Sequence, residues 1–209
     1  MSITTISPSR LHLTGPTDNP TDAMTTPDLA DHAPPVPPVA IAISACLLGV
    51  PVRYDGGHKK NPLLVSNKSI QWIPFCPEHE CGLGTPREPM QWQGAAHHPR
   101  LCTVETQRDH TQQLWQWCHR QVHLQSRLPI AGWLLKSRSP SCGLSGVTLL
   151  DRNNQHHIEH LGLFPRLLLA IHPQAIIAEG DCLHDETALN TFLQRITPPA
   201  CHRTHPVQE

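Results

Sequence analysis

Apolar and polar positions alternate in two rhythms from residue 39 onward. Val39 to Ala45 form a short β-branched-rich apolar run, which predicts a strand buried on both faces. "SIQWIPF" (69–75), "LPIAGWLL" (128–135) and "AIIA" (175–178) predict three further strands. Between them the period lengthens. Residues 62–68 suggest a short helix with Pro62 in its first turn. Residues 103–126 place Leu114, Cys118 and Val122 on one face with Trp115 beside them, predicting a longer helix. On this reading Trp115 belongs to the core and Trp117 to the surface. Residues 161–171 suggest a helix interrupted or begun at Pro165, and "DETALNTFLQRI" (185–196) a last helix N-capped by Asp185.

Strands alternating with helices predict an α/β fold: a mostly parallel sheet with helices on both faces, a Rossmann-like three-layer architecture. Residues 1–38 stand apart. They mix Ser, Thr, Pro and Asp with few large apolar side chains, a composition that cannot offset ordering entropy. They are expected to be a disordered leader, or to reflect a start site placed too early, with Met24 as the alternative start. Residues 39–197 make the single α/β domain and 198–209 a C-terminal tail.

Composition narrows the function. The 209-residue chain has a formal net charge of −1 with sixteen histidines, far from the basic footprint of a nucleic-acid binder. No apolar run approaches the ~20 residues of a membrane span, and no signal-peptide pattern opens the chain. The expectation is a soluble cytoplasmic protein with no membrane partner and no large nucleic-acid surface. The eight cysteines are then free thiols, metal ligands or catalytic groups rather than disulfides.

In parallel sheets, ligands gather beyond the carboxyl ends of the strands, where chain order reverses. The first predicted strand ends at Cys46 and the second at Cys76. The third leads into "KSRSPSCG", with Ser139 and Cys142, and the fourth into Glu179. Three thiols, a hydroxyl and a carboxylate are therefore expected along one edge. The sequence gaps of 30 and 66 residues between these cysteines form no local zinc knuckle. Thiolates suit zinc, copper(I) or iron–sulfur clusters, and three of them leave a metal position open. Packing thiols are the bland alternative for each cysteine taken singly. Cys102, Cys118, Cys182 and Cys201 are read as non-ligands. "AAHHP" and "QHHIEH" read as solvated loop histidines. Arg53 and Asp55 are expected to pair with each other or with Arg87 and Glu88.

"ISACLLGVPVRYDGGHKKN", "FCPE", "TPREP", "KSRSPSCGLSG" and "EG…LHD" resemble, in this order, the bacterial thiouracil desulfurase family, long known as a domain of unknown function. The resemblance runs from about residue 40 to residue 196. It implies a 4Fe–4S cluster held by Cys46, Cys76 and Cys142 with its fourth iron free of protein ligands. It also implies an acid/base glutamate at Glu78 and an active-site serine at Ser139, both touching substrate. The implied activity is hydrolytic removal of sulfur from a small thiolated heterocycle, released as hydrosulfide. Iron–sulfur assembly machinery is the implied maturation partner; oligomeric state is left open. Two features depart from the pattern. Cys81 stands where the family usually has a small non-ligating residue. Ala178 to Cys182 replace a stretch that commonly carries two glutamates, glycine and arginine. Either Cys81 or Cys182 as a fourth ligand would close the site, and a non-catalytic iron–sulfur or zinc sensor is the alternative function.

Overall fold

The computed structural model describes residues 38–197 apart from 152 and 154. The expected tail, and the expected leader but for its last position, lie outside the described residues, as does Cys201. In chain order the elements are β1 (Val39–Ser44), α1 (Pro62–Ser66), β2 (Ile70–Phe75), β3 (Met90–Gln93), β4 (Arg100–Thr103) and α2 (Thr111–Gln125). They continue as β5 (Ile130–Leu135), β6 (Val147–Leu150), β7 (His156–His160), α3 (Leu163–Ile171), β8 (Ile177–Glu179) and α4 (Glu186–Ile196).

The expected parallel sheet is present with strand order β2-β1-β5-β8, and all three pairings in it are parallel. Its central strands are apolar on both faces, because helices cover both. Ile41, Ile43 and Leu134 point into one core with Leu64 of α1 and Leu189, Phe192 and Ile196 of α4. Ala42, Trp133 and Leu135 point into the other, with Leu114, Trp117, Cys118 and Val122 of α2 and Phe164 and Leu168 of α3. The three-layer α/β expectation holds for this sheet. Asp185 caps α4 by accepting from the Ala188 N–H at 2.8 Å, as its side-chain type predicts.

Three expectations are corrected. First, the predicted 103–126 helix begins only at Thr111. Thr103 closes β4, and its hydroxyl accepts the Arg108 N–H at 2.8 Å, so 103–110 fold as a strand end and turn. Second, Trp117 is 3% exposed and Trp115 44%, the reverse of the expected assignment. The buried face steps Leu114, Trp117, Cys118, Val122, which is the 3-4 helical spacing. Third, a second sheet of order β4-β3-β6-β7 was not foreseen. Its strands are four or five residues long, too short for a periodic signal. "QHHIEH", expected as a loop, forms its edge strand β7. This mixed sheet adds Trp92, Leu101, Val147 and Leu149 to the core under α2 and α3.

Candidate active site

The order β2-β1-β5-β8 places the first strand between the second and third of the parallel sheet. The connections that leave β1 and β5 therefore run to opposite sides, and a crevice opens between β1 and β5 at their carboxyl ends. A cavity of about 540 Å³ fills that crevice. It is lined by chain following four different strand ends: Cys46 after β1, Cys76 and Glu78 after β2, Ser139 and Cys142 after β5, and Asp181 after β8.

Each side chain arrives by a local device. Cys46 lies in the 3-10 turn Ala45–Leu48, which ends at Gly49 with φ 95°, a left-handed backbone that glycine adopts without strain. The Cys46 carbonyl accepts N–H groups from Gly49 at 3.2 Å and Lys59 at 2.9 Å, tying "RYDGGHK" over the turn. Cys76 is held by a reciprocal pair: its N–H donates to Glu80 Oε1 at 2.7 Å, and its carbonyl accepts the Glu80 N–H at 2.9 Å. Cys142 ends a loop pinned from several sides. The Ser139 hydroxyl accepts the N–H groups of Ser141 and Cys142 at 3.3 and 3.2 Å. Trp92 Nε1 donates to the Pro140 carbonyl at 3.0 Å. The first N–H groups around α3, from Gly162, Leu163 and Phe164, donate to the carbonyls of Gly143, Pro140 and Ser141. Glu179 is part of this support: its carboxylate accepts from the N–H groups of Leu144 and Ser145 at 2.8 and 3.1 Å. It braces the loop and does not line the cavity, contrary to its expected place on the edge.

Gly162 shows how tight this support is. A Cβ there would sit 2.7 Å from the Cys142 nitrogen and the Ser141 carbonyl carbon, and 2.8 Å from the Gly143 nitrogen. Backbone atoms cannot swing aside. Gly162→Ala is expected to lower stability by about 1–3 kcal/mol through overpacking, measured by denaturant unfolding; an unchanged midpoint would show that the loop yields.

Burial sets the electrostatics of the thiols. It pushes Cys46 up to about 11, with Cys76 adding to the rise and Lys136 and Arg53 opposing it. Burial likewise raises Cys76. Cys142 is raised chiefly by burial and then by Cys76, while hydroxyls of Ser44 and Ser141 oppose the rise. Glu78 sits among them, 8% exposed. Its Oε2 accepts Arg87 Nη2 at 2.7 Å and Nε at 3.1 Å. Its Oε1 accepts the Ser141 hydroxyl at 2.7 Å and the Ser139 hydroxyl at 3.4 Å. Arg87 is itself locked by donating Nη1 to the carbonyls of Val52 at 3.0 Å and Gly84 at 2.8 Å.

Arg87 and Ser141 escaped the sequence reading of the site. Ser141 lay inside the quoted "SRSPSC", but nothing in a linear string ranks the second serine closer to Glu78 than the first. Arg87 was expected near Arg53 and Asp55. Of the two arrangements expected for Arg53 and Asp55, the structure has the mutual pair, at 3.4 Å, and Glu88 accepts from the backbone and hydroxyl of Thr106. Arg53, Lys59, Arg87, Lys136 and Arg138 line the cavity against only two carboxylates, Glu78 and Asp181.

The two candidate closing ligands fall elsewhere. Cys81 donates its S–H to the Glu78 carbonyl at 3.3 Å and packs against the α2–α3 core; the cavity lining does not include it. Cys182 is exposed and borders a separate depression with Leu183, His184 and α4.

Whether these residues suit a cluster is a question of donor chemistry. Three soft donors share one wall-lined space, the thiols pay a burial penalty that a cationic iron core would relieve, and the surplus of cations offsets the net negative charge of a thiolate-bound cluster. The buried Ser137 hydroxyl, beside this wall, has no partner among the described residues. Among those residues no three His, Cys, Asp or Glu side chains crowd together tightly enough to grip a single ion. The residues fit the group.

Known proteins bear on the same residues. Among curated proteins, the uncharacterized protein YbbK of Bacillus subtilis (strain 168) is 30% identical over 111 residues, covering 49% of this chain and 72% of that protein. Among solved structures, a 4Fe-4S-dependent thiouracil desulfidase, TudS, is similar at 33% identity with a TM-score of 0.57, covering 74% of this chain and 99% of that chain. The sequence model of 2-thiouracil desulfurases matches residues 41–180, a span from β1 to the end of β8 that holds every cavity residue named above except Asp181. The chain belongs to the 2-thiouracil desulfurase family.

Proposed function

We propose that this protein removes sulfur from a small thiolated heterocycle of the 2-thiouracil type by hydrolysis, using a 4Fe–4S cluster held by Cys46, Cys76 and Cys142. The observation that carries the reading is the single cavity in which these three thiols meet a buried carboxylate held by Arg87 and Ser141. Held by these three thiolates, the cluster would supply a thiophilic Lewis acid for the substrate's sulfur.

The remaining work falls to the chain. Glu78 accepts a proton from the attacking water at Oε1, the oxygen that faces the two serines, and returns it later in the reaction. Arg87 holds Oε2, so the carboxylate cannot rotate away. Ser139 donates a hydrogen bond to the ring or to its developing oxyanion. Water's oxygen replaces sulfur on the carbon and sulfur departs as hydrosulfide, so no electrons are gained or lost. The free state of every described cysteine suits a reducing compartment such as the cytoplasm, where assembly proteins deliver the cluster. No helix among the described residues is long and apolar enough to cross a membrane.

Anaerobically purified protein should be brown and release sulfide from 2-thiouracil. A cluster-loaded protein that leaves 2-thiouracil and related thionucleobases intact would overturn the catalytic reading. Cys81→Ala tests the sensor alternative separately. It is expected to keep both cluster and turnover, since Cys81 points its S–H at a backbone carbonyl. Loss of iron in this variant would instead make Cys81 a ligand and the site a closed one.

A further inference from the structure

The exposed face of α2 carries chemistry that the desulfurase reading leaves unused. His119 and His123 are one helical turn apart, and their Nε2 atoms lie 3.3 Å from each other. The rings meet edge to face with centroids 4.6 Å apart. Trp115, one turn earlier, stacks on His119 with centroids at 4.8 Å and an interplanar angle of 18°. The three rings form a ladder on a flank of α2 about 100° round the helix from Leu114, Cys118 and Val122.

The separation of the two nitrogens has a metric meaning. Two imidazole nitrogens bound to one ion at ~2.0–2.1 Å stand about 2.9 Å apart in right-angled coordination and about 3.3 Å apart in tetrahedral coordination. Histidines at i and i+4 on a helix reach one ion from the same face. Neutral imidazole suits zinc, copper and nickel. We propose that His119 and His123 form a two-histidine clip for a borderline divalent cation such as Zn²⁺ or Ni²⁺. Each ring keeps its proton on Nδ1 and offers the Nε2 lone pair, so binding breaks no covalent bond, and water fills the remaining positions. The stack on Trp115 holds His119 in the binding rotamer before metal arrives, which reduces the ordering cost. Residue 120, where zinc proteases with a His-Glu-x-x-His helix place a general base, is arginine here. The site therefore binds metal without hydrolytic chemistry. It is independent of the desulfurase reading.

The test titrates Ni²⁺ into full-length, cluster-loaded protein under anaerobic conditions and follows bound metal by equilibrium dialysis. The same titration is run on His119→Gln, His123→Gln and, as a control on β7, His157→Gln. Both α2 variants change exposed or half-buried positions, and circular dichroism checks their fold. The expected result is one tight equivalent in wild type and in His157→Gln, weakened at least tenfold in either α2 variant. Partial quenching of Trp fluorescence by Ni²⁺, lost in Trp115→Phe, is the expected local signature. Absence of a tight equivalent in wild type, or its survival in both α2 variants, would overturn the proposal.

Discussion

Cys142→Ser protein, reconstituted with iron and sulfide without oxygen, is expected to hold little or no cluster and to lose sulfide release from 2-thiouracil. The hydroxyl is a hard, weakly acidic donor in a site built for soft thiolate. Cys142 is also the most enclosed of the three thiols, 4% exposed in a loop pinned by Ser139, Trp92 and the start of α3. The effect should exceed the ~10–100-fold loss that follows removal of even an outer partner of a metal ligand. Iron content and the visible spectrum read it directly. Cys118→Ser supplies the contrast. That thiol is fully buried in α2 and does not line the cavity, so the variant should lose stability and keep its iron. Equal iron content in wild type and Cys142→Ser would remove Cys142 from the ligand set.

The second large effect concerns the proton. Glu78→Gln is expected to retain the cluster and to reduce turnover by about 10²–10⁴-fold, the range that a positioned acid/base group contributes. Glutamine keeps the shape and can still accept from the Ser141 hydroxyl, but it cannot take a proton from water. Its cost to the fold is traceable to Arg87, which loses its charge partner. Side-chain exposures of 7% and 11% in the Arg87–Glu78 pair put that loss near the ~3–5 kcal/mol of a broken buried ion pair. Stability and turnover therefore separate: denaturant unfolding reports the first, and single-turnover sulfide release at saturating substrate reports the second. A Glu78→Gln protein that turns over normally would leave the proton transfer to another group.

Geometry explains why Ser139 and Ser141 are expected to differ. Ser141 is buried and close to Oε1, so its hydroxyl is committed to the carboxylate. Ser139 is further from Oε1 and borders the open space, so on the proposed reading an incoming ring would meet it first. The stretch "KSRSPSCG" thus combines a cavity-lining thiol, a hydroxyl committed to the carboxylate and a second hydroxyl facing the cavity. Pro140 and Gly143 fit its tight path, and α3 and Glu179 satisfy its backbone.

Much of this was legible along the chain. The runs around Ile41 and Leu134 were almost continuously apolar, a pattern that suits a strand covered on both faces. Alternation of those runs with helical stretches implied parallel pairing, and parallel pairing implied a ligand edge at Cys46, Cys76 and Cys142. The motifs that marked the family lie on that same edge. The second sheet was invisible because β3, β4, β6 and β7 each contribute only four or five residues. Their apolar positions, Trp92, Leu101, Val147 and Leu149, acquire meaning only when they meet under α2.

What the amino-acid order determined by itself was local and periodic: which segments make the parallel sheet, which end each thiol terminates, and that turn residues surround them. Only the tertiary structure decided what those ends face. It gave Glu78 to Arg87 and Ser141, turned Cys81 toward a carbonyl, and made Glu179 a brace. Such pairings depend on distances between atoms far apart in the chain, which the order of residues does not encode one pair at a time. They are set when the whole core closes, because each buried polar group must find its hydrogen-bond partners there.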